Sequence, residues 1–357
     1  MNLPAPDAVA DGWTRDVPER LRLAPGRAAL WRSPTCLQLG LDQQRAMVLD
    51  GLPDALVTLL KRMDGLRSTD ELLAEAQAGG SSRHEALGML AELHRYGLVQ
   101  DASGTDEGPP GWHRVALAGE AASWSVNTAR PASELLRQRR EAAVHVVGSG
   151  RVAVAVGTAL AAAGVGRVAV RATGTVTATD LGTGYLPEDL GRDRAAAAAD
   201  AVRRCAQEVI VAPRQHPDLI VLSDTVVPEP ALVTDLLGAR IPHLLGYAHE
   251  ETAVVGPLVW PGRSSCLRCA ELHRAEVDVA WPKLAAQLVD QIPAAGLACT
   301  QLAAALIAEQ VLAVLAGPDS GLPTPPTWGS ALHLDPMRGT LHRHPRPAHP
   351  RCGCGAA

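Results

Sequence analysis

The sequence predicts an α/β protein in which a small winged-helix-like α+β domain precedes a doubly wound sheet. From Ala143 onward, short apolar runs alternate with helical runs, which is the pattern of a mostly parallel sheet with crossover helices. Before that, short strand-like runs come first and three short helices follow. A polar, Gly/Pro-rich break, "DASGTDEGPPG", separates the two patterns. We therefore expect an arm (1–18), a first domain (19–101), a linker with a connecting helix (102–142) and a second domain (143–357).

The first domain is predicted from its hydrophobic periods and cap residues. "AALWRSPTCLQLGL" and "RAMVLDG" are typical of short strands broken by turn residues. "LPDALVTLLKRMDG" places apolar residues at helical spacing. "STDELLAEAQAGG" has a Ser68 cap, an acidic first turn and a glycine stop, and "SRHEALGMLAELHRYGLVQD" adds a third helix and a final strand. Strands followed by three short helices indicate a winged-helix-like module.

The second domain is predicted element by element in chain order. A strand, a helix and a strand are expected at "AVHVVGSG", "RVAVAVGTALAAAGVG" and "RVAVRA", followed by a helix at "GRDRAAAAADAVRRCAQE". "VIVAP" and "DLIVLSD" are apolar runs short enough for strands. The remaining elements are a helix at "PALVTDLLGAR", strands at "IPHLLGYA" and "TAVVGPLVW", a long apolar helix at "ACTQLAAALIAEQVLAVLAG" and a hairpin at "ALHLD" and "GTLHRH".

Composition argues against several classes of function. Lys and Arg number 33 against 38 Asp and Glu, a net charge of −5, so no basic surface indicates nucleic-acid binding. The N-terminus lacks a basic start followed by an apolar run, so no secretory signal is expected. The sequence contains no uninterrupted run of about 18 apolar residues, so we expect no membrane-spanning helix. We expect a cytoplasmic protein that binds neither nucleic acid nor membrane.

A glycine turn joins the first strand and helix of the second domain. "GSGRVA" is G-x-G-x-x-A at Gly148, Gly150 and Ala153, in the strand–turn–helix context of nucleotide sites. Such glycines let a phosphate approach the helix N-terminus, where free N–H groups and the helix dipole favour anions. A tight turn without a nucleotide is one alternative. Arg171, at the end of the next strand, could receive the extra phosphate of NADP, so an NADP-dependent reductase is another.

Four of the seven cysteines form two tight pairs. Cys266 and Cys269 are spaced C-x-x-C, and Cys352 and Cys354 are spaced C-x-C. In a chain of cytosolic character such pairs are more typical of metal or redox sites than of disulfides. Four thiolates are a ligand set of structural zinc, which we predict at these residues. Free cysteines are the alternative, and a nearby histidine could replace one thiolate: His342, His344 or His349.

Over residues 143–355 the chain resembles the ThiF/MoeB/HesA adenylyltransferase superfamily, relatives of ubiquitin-activating enzymes. The resemblance depends on the order of "VVGSGRVA", "DLIVLSD", "GPLVWPGRSSCLRC", the long apolar helix and the final cysteine pair. It implies a Rossmann-like sheet, a homodimer, structural zinc, and Mg-ATP binding for the adenylation of a C-terminal carboxylate. Carried over by motif, the nucleotide-binding residues are Gly148, Gly150, Arg194 and Asp224.

Departures from the family pattern fall in the nucleotide site. Where the family has an acidic residue for the ribose this chain has Arg171, and where it has a catalytic Lys this chain has Arg194. The phosphate-gripping Asn-Leu-x-Arg-Gln stretch corresponds to "DLGTG", and Asp224 lacks its usual Asn and Arg followers. Arg is no simple substitute for a Lys whose point charge must reach a phosphate. We therefore predict a degenerate nucleotide site and no catalytic residue.

Over residues 20–101 the first domain resembles the winged-helix precursor-recognition element of peptide natural-product pathways. In azoline-forming clusters that element is fused to a ThiF-like domain, binds the leader of a precursor peptide and delivers the core to a YcaO-type cyclodehydratase. The resemblance implies leader binding between the edge strand "RAMVLDG" and an opposing helix. The expected contact residues are Met47, Val48, Leu49, Arg83 and Arg95. A winged-helix DNA reader is the alternative, disfavoured by the few clustered bases on the helices.

These interpretations lead to one main hypothesis and two alternatives. The main hypothesis is a zinc-containing, non-catalytic ThiF-like scaffold, dimeric and cytoplasmic, which binds a leader peptide and presents it to a YcaO-type partner enzyme. The first alternative is an active ATP-dependent adenylyltransferase that acts on the C-terminus of a carrier protein. The second is an NADP-dependent reductase, for which the sequence offers no obvious hydride-transfer constellation.

Overall fold

The computed structural model describes residues 17–24, 28–41, 46–102, 115–128, 132–289 and 291–356. It divides into two compact units, residues 1–137 and 138–357. Most of the expected arm lies outside the described residues, as does the first part of the expected linker, 103–114. The described part of that linker is mainly helical.

The first unit contains two antiparallel sheets of three strands each, with the orders β5-β1-β6 and β2-β3-β4. The strands are β1 (Arg20–Leu23), β2 (Ala29–Ser33), β3 (Cys36–Leu39), β4 (Met47–Leu49), β5 (Asp64–Ser68) and β6 (Val99–Asp101). The helices are α1 (Asp54–Arg62), α2 (Thr69–Ala78), α3 (Arg83–Arg95), α4 (Ala118–Thr128) and α5 (Ala132–Glu141), the last of which crosses into the second unit. The three helices expected before residue 101 are present as α1 to α3, and β1 and β5 are strands that the hydrophobic pattern did not reveal.

Two serines start helices α2 and α3 in the same way. The Ser68 hydroxyl accepts the Glu71 N–H at 3.2 Å, and the Ser68 N–H donates to the Glu71 carboxylate at 2.8 Å. Ser82 and Glu85 repeat both bonds. Such a cap stabilises a helix by about 1 kcal/mol. The caps define where the two helices begin, and their apolar faces then pack into a core built largely of leucines.

The second unit is built on one mixed sheet of seven strands, in the order β13-β12-β11-β10-β9-β7-β8. The strands are β7 (Ala143–Val147), β8 (Arg167–Arg171), β9 (Leu219–Ser223), β10 (His243–His249), β11 (Thr252–Val259), β12 (Ser330–Asp335) and β13 (Thr340–Pro345). The helices are α6 (Arg151–Ala162), α7 (Arg194–Cys205), α8 (Pro230–Gly238), α9 (Leu267–Val277), α10 (Trp281–Leu288) and α11 (Leu297–Leu315). Strands β8, β7, β9 and β10 are parallel and the others antiparallel, which confirms the predicted α/β class with a Rossmann-like half.

The expected strand at "VIVAP" is reduced to a single bridge. Ile210 pairs in parallel with Arg167 of β8, and the Val168 N–H donates to the Ile210 carbonyl. Pro213 follows three residues after Ile210, and because proline has no N–H it cannot continue a ladder. The position of Ile210 still matters, because it completes the dinucleotide-fold strand order 3-2-1-4-5 with β8, β7, β9 and β10. The switch point of that order lies between β7 and β9.

Helix α11 is the one described helix long and apolar enough, by length and composition, to cross a membrane. It packs against α6, β10 and β11, and half of its most apolar window is buried within the structure. Ala303, Ile307 and Val311 on this helix are fully buried in the main core of the second unit. Its apolar character is explained by this central position in the sheet domain.

Candidate functional site

The glycine turn after β7 is filled by a side chain of the chain itself. The Asp224 carboxylate accepts the backbone N–H groups of Gly150 at 2.9 Å, Val152 at 3.0 Å and Ala153 at 3.0 Å. These are donors of the α6 N-terminus, the position where a phosphate would bind. Asp224 is buried, and its backbone has a φ of +56°. Burial raises the pKa of the Asp224 carboxyl, and the three N–H donors act in the opposite direction.

Packing of Asp224 accounts for both glycines of the turn. A Cβ atom on Gly148 would lie 2.3 Å from the Ser223 hydroxyl and 2.8 Å from the Asp224 carboxylate. A Cβ atom on Gly150 would lie 2.6 Å from the same carboxylate. The turn therefore requires glycine even without a nucleotide, which was one of the alternatives that the sequence left open.

A strap, residues 291–296, lies over the same turn. The Ile292 side chain reaches within 3.0 Å of where a Gly150 Cβ would be, and the Arg151 guanidinium donates to the Ala295 carbonyl at 2.5 Å. The Glu250 N–H at the end of β10 donates to the carbonyl of Ala294 at 2.7 Å. The strap is thus tied to both the sheet and α6. Sequence reasoning missed Ile292, because 142 residues separate it from Gly150.

Arg194, the fourth expected nucleotide residue, is paired with an internal carboxylate. Its guanidinium lies 2.8 Å from Asp180 and also donates to the Thr173 carbonyl at 3.1 Å. Burial would raise the pKa of the Asp180 carboxyl, but Arg194 and the donors of Thr177 outweigh that effect and lower it. Arg171 is exposed at the end of β8. The Arg194 charge therefore holds the loop after β8.

The two cysteine pairs meet in space as predicted. The sulfur atoms of Cys266 and Cys269 are 3.8 Å apart. The Cys266 sulfur lies 3.6 Å from that of Cys352, and the Cys269 sulfur lies 3.6 Å from that of Cys354. All four lie within 4.8 Å of one another. Zn–S bonds of about 2.3 Å in a tetrahedron put neighbouring sulfurs about 3.8 Å apart, so the arrangement fits a metal ion. Burial raises the pKa of the Cys266 thiol, so a bound cation would be needed to hold it as a thiolate.

The nearby histidine that could have replaced a thiolate has other partners. The Nε2 atom of His349 lies 3.0 Å from the Glu276 carboxylate, and its Nδ1 accepts the Arg351 N–H at 3.1 Å. His342 and His344 lie on β13, the strand that ends seven residues before Cys352. The four cysteine sulfurs therefore form the candidate ligand set, and none of these three histidines is part of it.

The expected peptide-contact residues lie on β4 and α3. β4 pairs with β3 through Leu39 with Met47, Gln38 with Val48 and Leu37 with Leu49, and it ends its sheet in the described part of the chain. The Leu49 side chain is fully buried in the core, so it could contribute only backbone groups to a ligand.

On α3 the two arginines have local partners. Arg83 pairs with Asp70 of α2 at 2.7 Å, and Arg95 pairs with Glu92 at 2.5 Å and stacks on Tyr96. Helix α3 packs against α2 and β6. Arg45, at the start of the expected edge strand, lies outside the described residues.

Comparison with known proteins places the chain in a family. A comparison with curated protein sequences gave no match. Among solved structures, E. coli MccB with ATP matches over 94% of this chain and 99% of its own, at 14% identity and a TM-score of 0.69. The microcin biosynthetic enzyme MccB in complex with N-formylated MccA matches over the same shares, at 13% identity and a TM-score of 0.69. PaaA matches over 90% of this chain and 98% of its own, at 16% identity and a TM-score of 0.69.

These structural likenesses show a shared fold. The family model described as "ThiF family" matches residues 125–356, which is more than half of the chain. The sequence resemblance that suggested this family is thereby confirmed, and the chain belongs to the ThiF family.

Proposed function

We propose that the chain is a cytoplasmic, dimeric ThiF-family scaffold that binds the leader of a precursor peptide and presents it to a YcaO-type cyclodehydratase. In this proposal the chain acts in the biosynthesis of a ribosomal peptide natural product. MccB, to which the chain is similar in fold, was solved with MccA, and this supports a precursor peptide as the ligand. In the proposal, residues 19–101 of the first unit form the winged-helix-like recognition domain, and zinc at the four cysteines holds the second unit together.

The observation that carries the non-catalytic role is the Asp224 carboxylate within the glycine turn. A nucleotide phosphate would have to displace it from three N–H donors, each worth about 1.5–3 kcal/mol for a bond to a charged group. The phosphate would also face the negative charge of Asp224 and the side chain of Ile292. The phosphate would accept the freed N–H groups in turn, so the net penalty comes from the displaced Asp224 charge and from Ile292, and each 1.4 kcal/mol of it, roughly, weakens binding about tenfold.

An active adenylyltransferase is the second candidate, and one observation favours it. MccB was also solved with ATP, and the present chain follows that fold over 94% of its length. In this reading Asp224 would leave the turn and hold a magnesium ion, and Gly148, Gly150 and Arg194 would contact the phosphates. The two candidates differ in ATP–pyrophosphate exchange in the presence of a peptide carboxylate. The scaffold gives no exchange above background, and exchange that is lost in Asp224→Ala would establish the enzyme.

Leader binding is proposed at the free edge of β4, the side on which no described strand pairs with it. Strand addition uses main-chain hydrogen bonds, so the burial of Leu49 does not prevent it. Synthetic leaders from short Cys/Ser/Thr-rich reading frames near the gene are the probes, with the full chain in a calorimeter. We expect a Kd of roughly 1 μM, about 8 kcal/mol.

Two proline variants test the edge directly. Neighbouring N–H groups of a strand point to opposite sides, so one of Met47→Pro and Val48→Pro removes a donor that faces the free edge, and the other removes a donor that faces β3. The variant that loses the free-edge donor should keep its thermal unfolding midpoint and should bind the leader at least ten times more weakly than the wild type. If both variants are folded and bind like the wild type, or if no leader binds and duplex DNA does, leader binding at β4 is wrong.

A further inference from the structure

A groove of about 1100 Å³ lies in the second unit, and no residue of the glycine turn lines it. It runs between α8 and α9, over β10 and β11, and one wall is formed by the segment that carries Cys352 and Cys354. Leu245, Tyr247 and Val254 form its apolar floor and belong to the core cluster on this face of the sheet. None of the residues assigned to nucleotide or leader binding lines it.

The charged side chains of the groove are almost all positive. Five arginines line it, against one carboxylate, that of Glu271: Arg240, Arg263, Arg268, Arg274 and Arg346. Glu271 is already used, because it pairs with Arg274 at 2.8 Å and accepts the Trp281 indole N–H at 2.6 Å. In the described part of the chain no carboxylate lies within ion-pair distance of the other four arginines. Such a positive site is unexpected in a chain whose net charge is −5.

Arg346 is held in the groove through its backbone. Its backbone N–H donates to the Gly329 carbonyl at 2.8 Å, and its own carbonyl accepts the Ser265 hydroxyl, so the residue is anchored at both ends. The guanidinium is half-buried, and burial together with the charge of Arg274 lowers its pKa. Glu271 is close enough to act on the Arg346 charge but forms no ion pair with it, so an anionic ligand would stabilise this partly buried guanidinium.

The size and chemistry of the groove favour a peptide over a small molecule. Its volume lies at the upper end of the range of about 300–1,000 Å³ that is typical of small-molecule pockets, which leaves room for several side chains of a peptide. Guanidinium groups match carboxylates in bidentate geometry. The apolar floor, with the Trp260 ring beside Arg263, would take apolar side chains between the acidic ones. We propose that this groove binds an acidic peptide segment in which Asp or Glu alternate with apolar residues. The proposal does not depend on leader binding by the first unit.

The test uses fluorescence anisotropy with the full, zinc-loaded chain. The probe is a labelled synthetic dodecapeptide with alternating Glu and Leu, and the matched probe has Gln in place of every Glu. We expect the Glu peptide to bind at least ten times more tightly, with an affinity that falls as salt is raised. Arg346→Gln should weaken binding of the Glu peptide at least tenfold. Arg338→Ala is the matched control, since Arg338 is 80% exposed and pairs with Asp335 on the closing hairpin; it should leave the affinity unchanged.

A second variant guards against misfolding of the first. The double variant Arg263→Ala, Arg268→Ala changes two exposed side chains and should also weaken peptide binding at least tenfold. The proposal is overturned if the Glu and Gln peptides bind equally, or if folded groove variants bind like the wild type. Equal losses in Arg338→Ala would show general polyanion attraction and overturn it too. The proposal is also overturned if the wild type binds no peptide but forms a homodimer, and the double variant is a monomer. The groove would then be an interface between two copies of the chain.

Discussion

Replacing Asp224 by Asn measures how far the glycine turn depends on its internal carboxylate. One carboxylate oxygen accepts the N–H groups of Gly150 and Ala153, and the other accepts that of Val152. Asn keeps the shape of the side chain but offers one carbonyl oxygen and an NH₂ group. With the oxygen facing Gly150 and Ala153, the NH₂ group faces the Val152 N–H, so one bond is lost and two donors oppose each other.

The magnitude follows from these contacts. One lost hydrogen bond to a charged group costs about 1.5–3 kcal/mol, and the two remaining bonds weaken because the charge is gone. Neutral Asn avoids the desolvation cost of the buried charge, which offsets part of this loss. We expect the free energy of unfolding of the second unit to fall by about 2 kcal/mol, measured by urea denaturation at neutral pH. Asp193→Asn is the matched control. Asp193 caps α7 through the Ala196 N–H at 2.9 Å, and Asn caps helices about as well. A loss below about 1 kcal/mol in Asp224→Asn would refute the account of the turn.

Three further predictions concern the metal site, the turn and the response to pH. Elemental analysis should find about one zinc ion per chain, and Cys266→Ser should lose both the metal and part of the thermal stability, since metal binding contributes to folding; a chain that is stable and free of zinc would contradict this. Gly150→Ala should lower the free energy of unfolding by about 1–3 kcal/mol, because the new Cβ would lie 2.6 Å from a buried carboxylate. Gly238→Ala is the control and should leave stability nearly unchanged, because open space surrounds that glycine. Similar losses in both variants would contradict the packing argument. Burial and the nearby charge of His344 lower the pKa of His333 to about 4, so between about pH 6.5 and 4 the unfolded chain binds the proton and the folded chain does not. Stability should therefore fall as the pH drops through that window, and His333→Leu should reduce the slope of melting temperature against pH; an unchanged slope would show that the ring does not contribute.

Local patterns predicted most of the elements and the motif positions. The caps at Ser68 and Ser82, the apolar run of α11 and the strand–turn–helix around Gly148 depend on neighbours a few residues away. Such neighbours share a helix or a turn, so periodicity and residue type suffice to place them. The spacing of each cysteine pair is local in the same sense. The exceptions are informative: β1 has only four residues, and β5, with Gly65 and polar neighbours, lacks strand character in sequence.

The tertiary structure alone decided what these motifs do in this protein. Asp224 reaches Gly150 across 74 residues, and Cys266 meets Cys352 across 86, because the strand order brings the ends of distant strands together. Ile292 covers the turn only because the strap crosses the sheet edge between β9 and β10. Sequence periodicity carries no information on these loop paths. The sequence therefore determined the family, most of the elements and the spacing of the cysteine pairs, while packing decided that the anion position of the glycine turn holds a carboxylate of the chain itself.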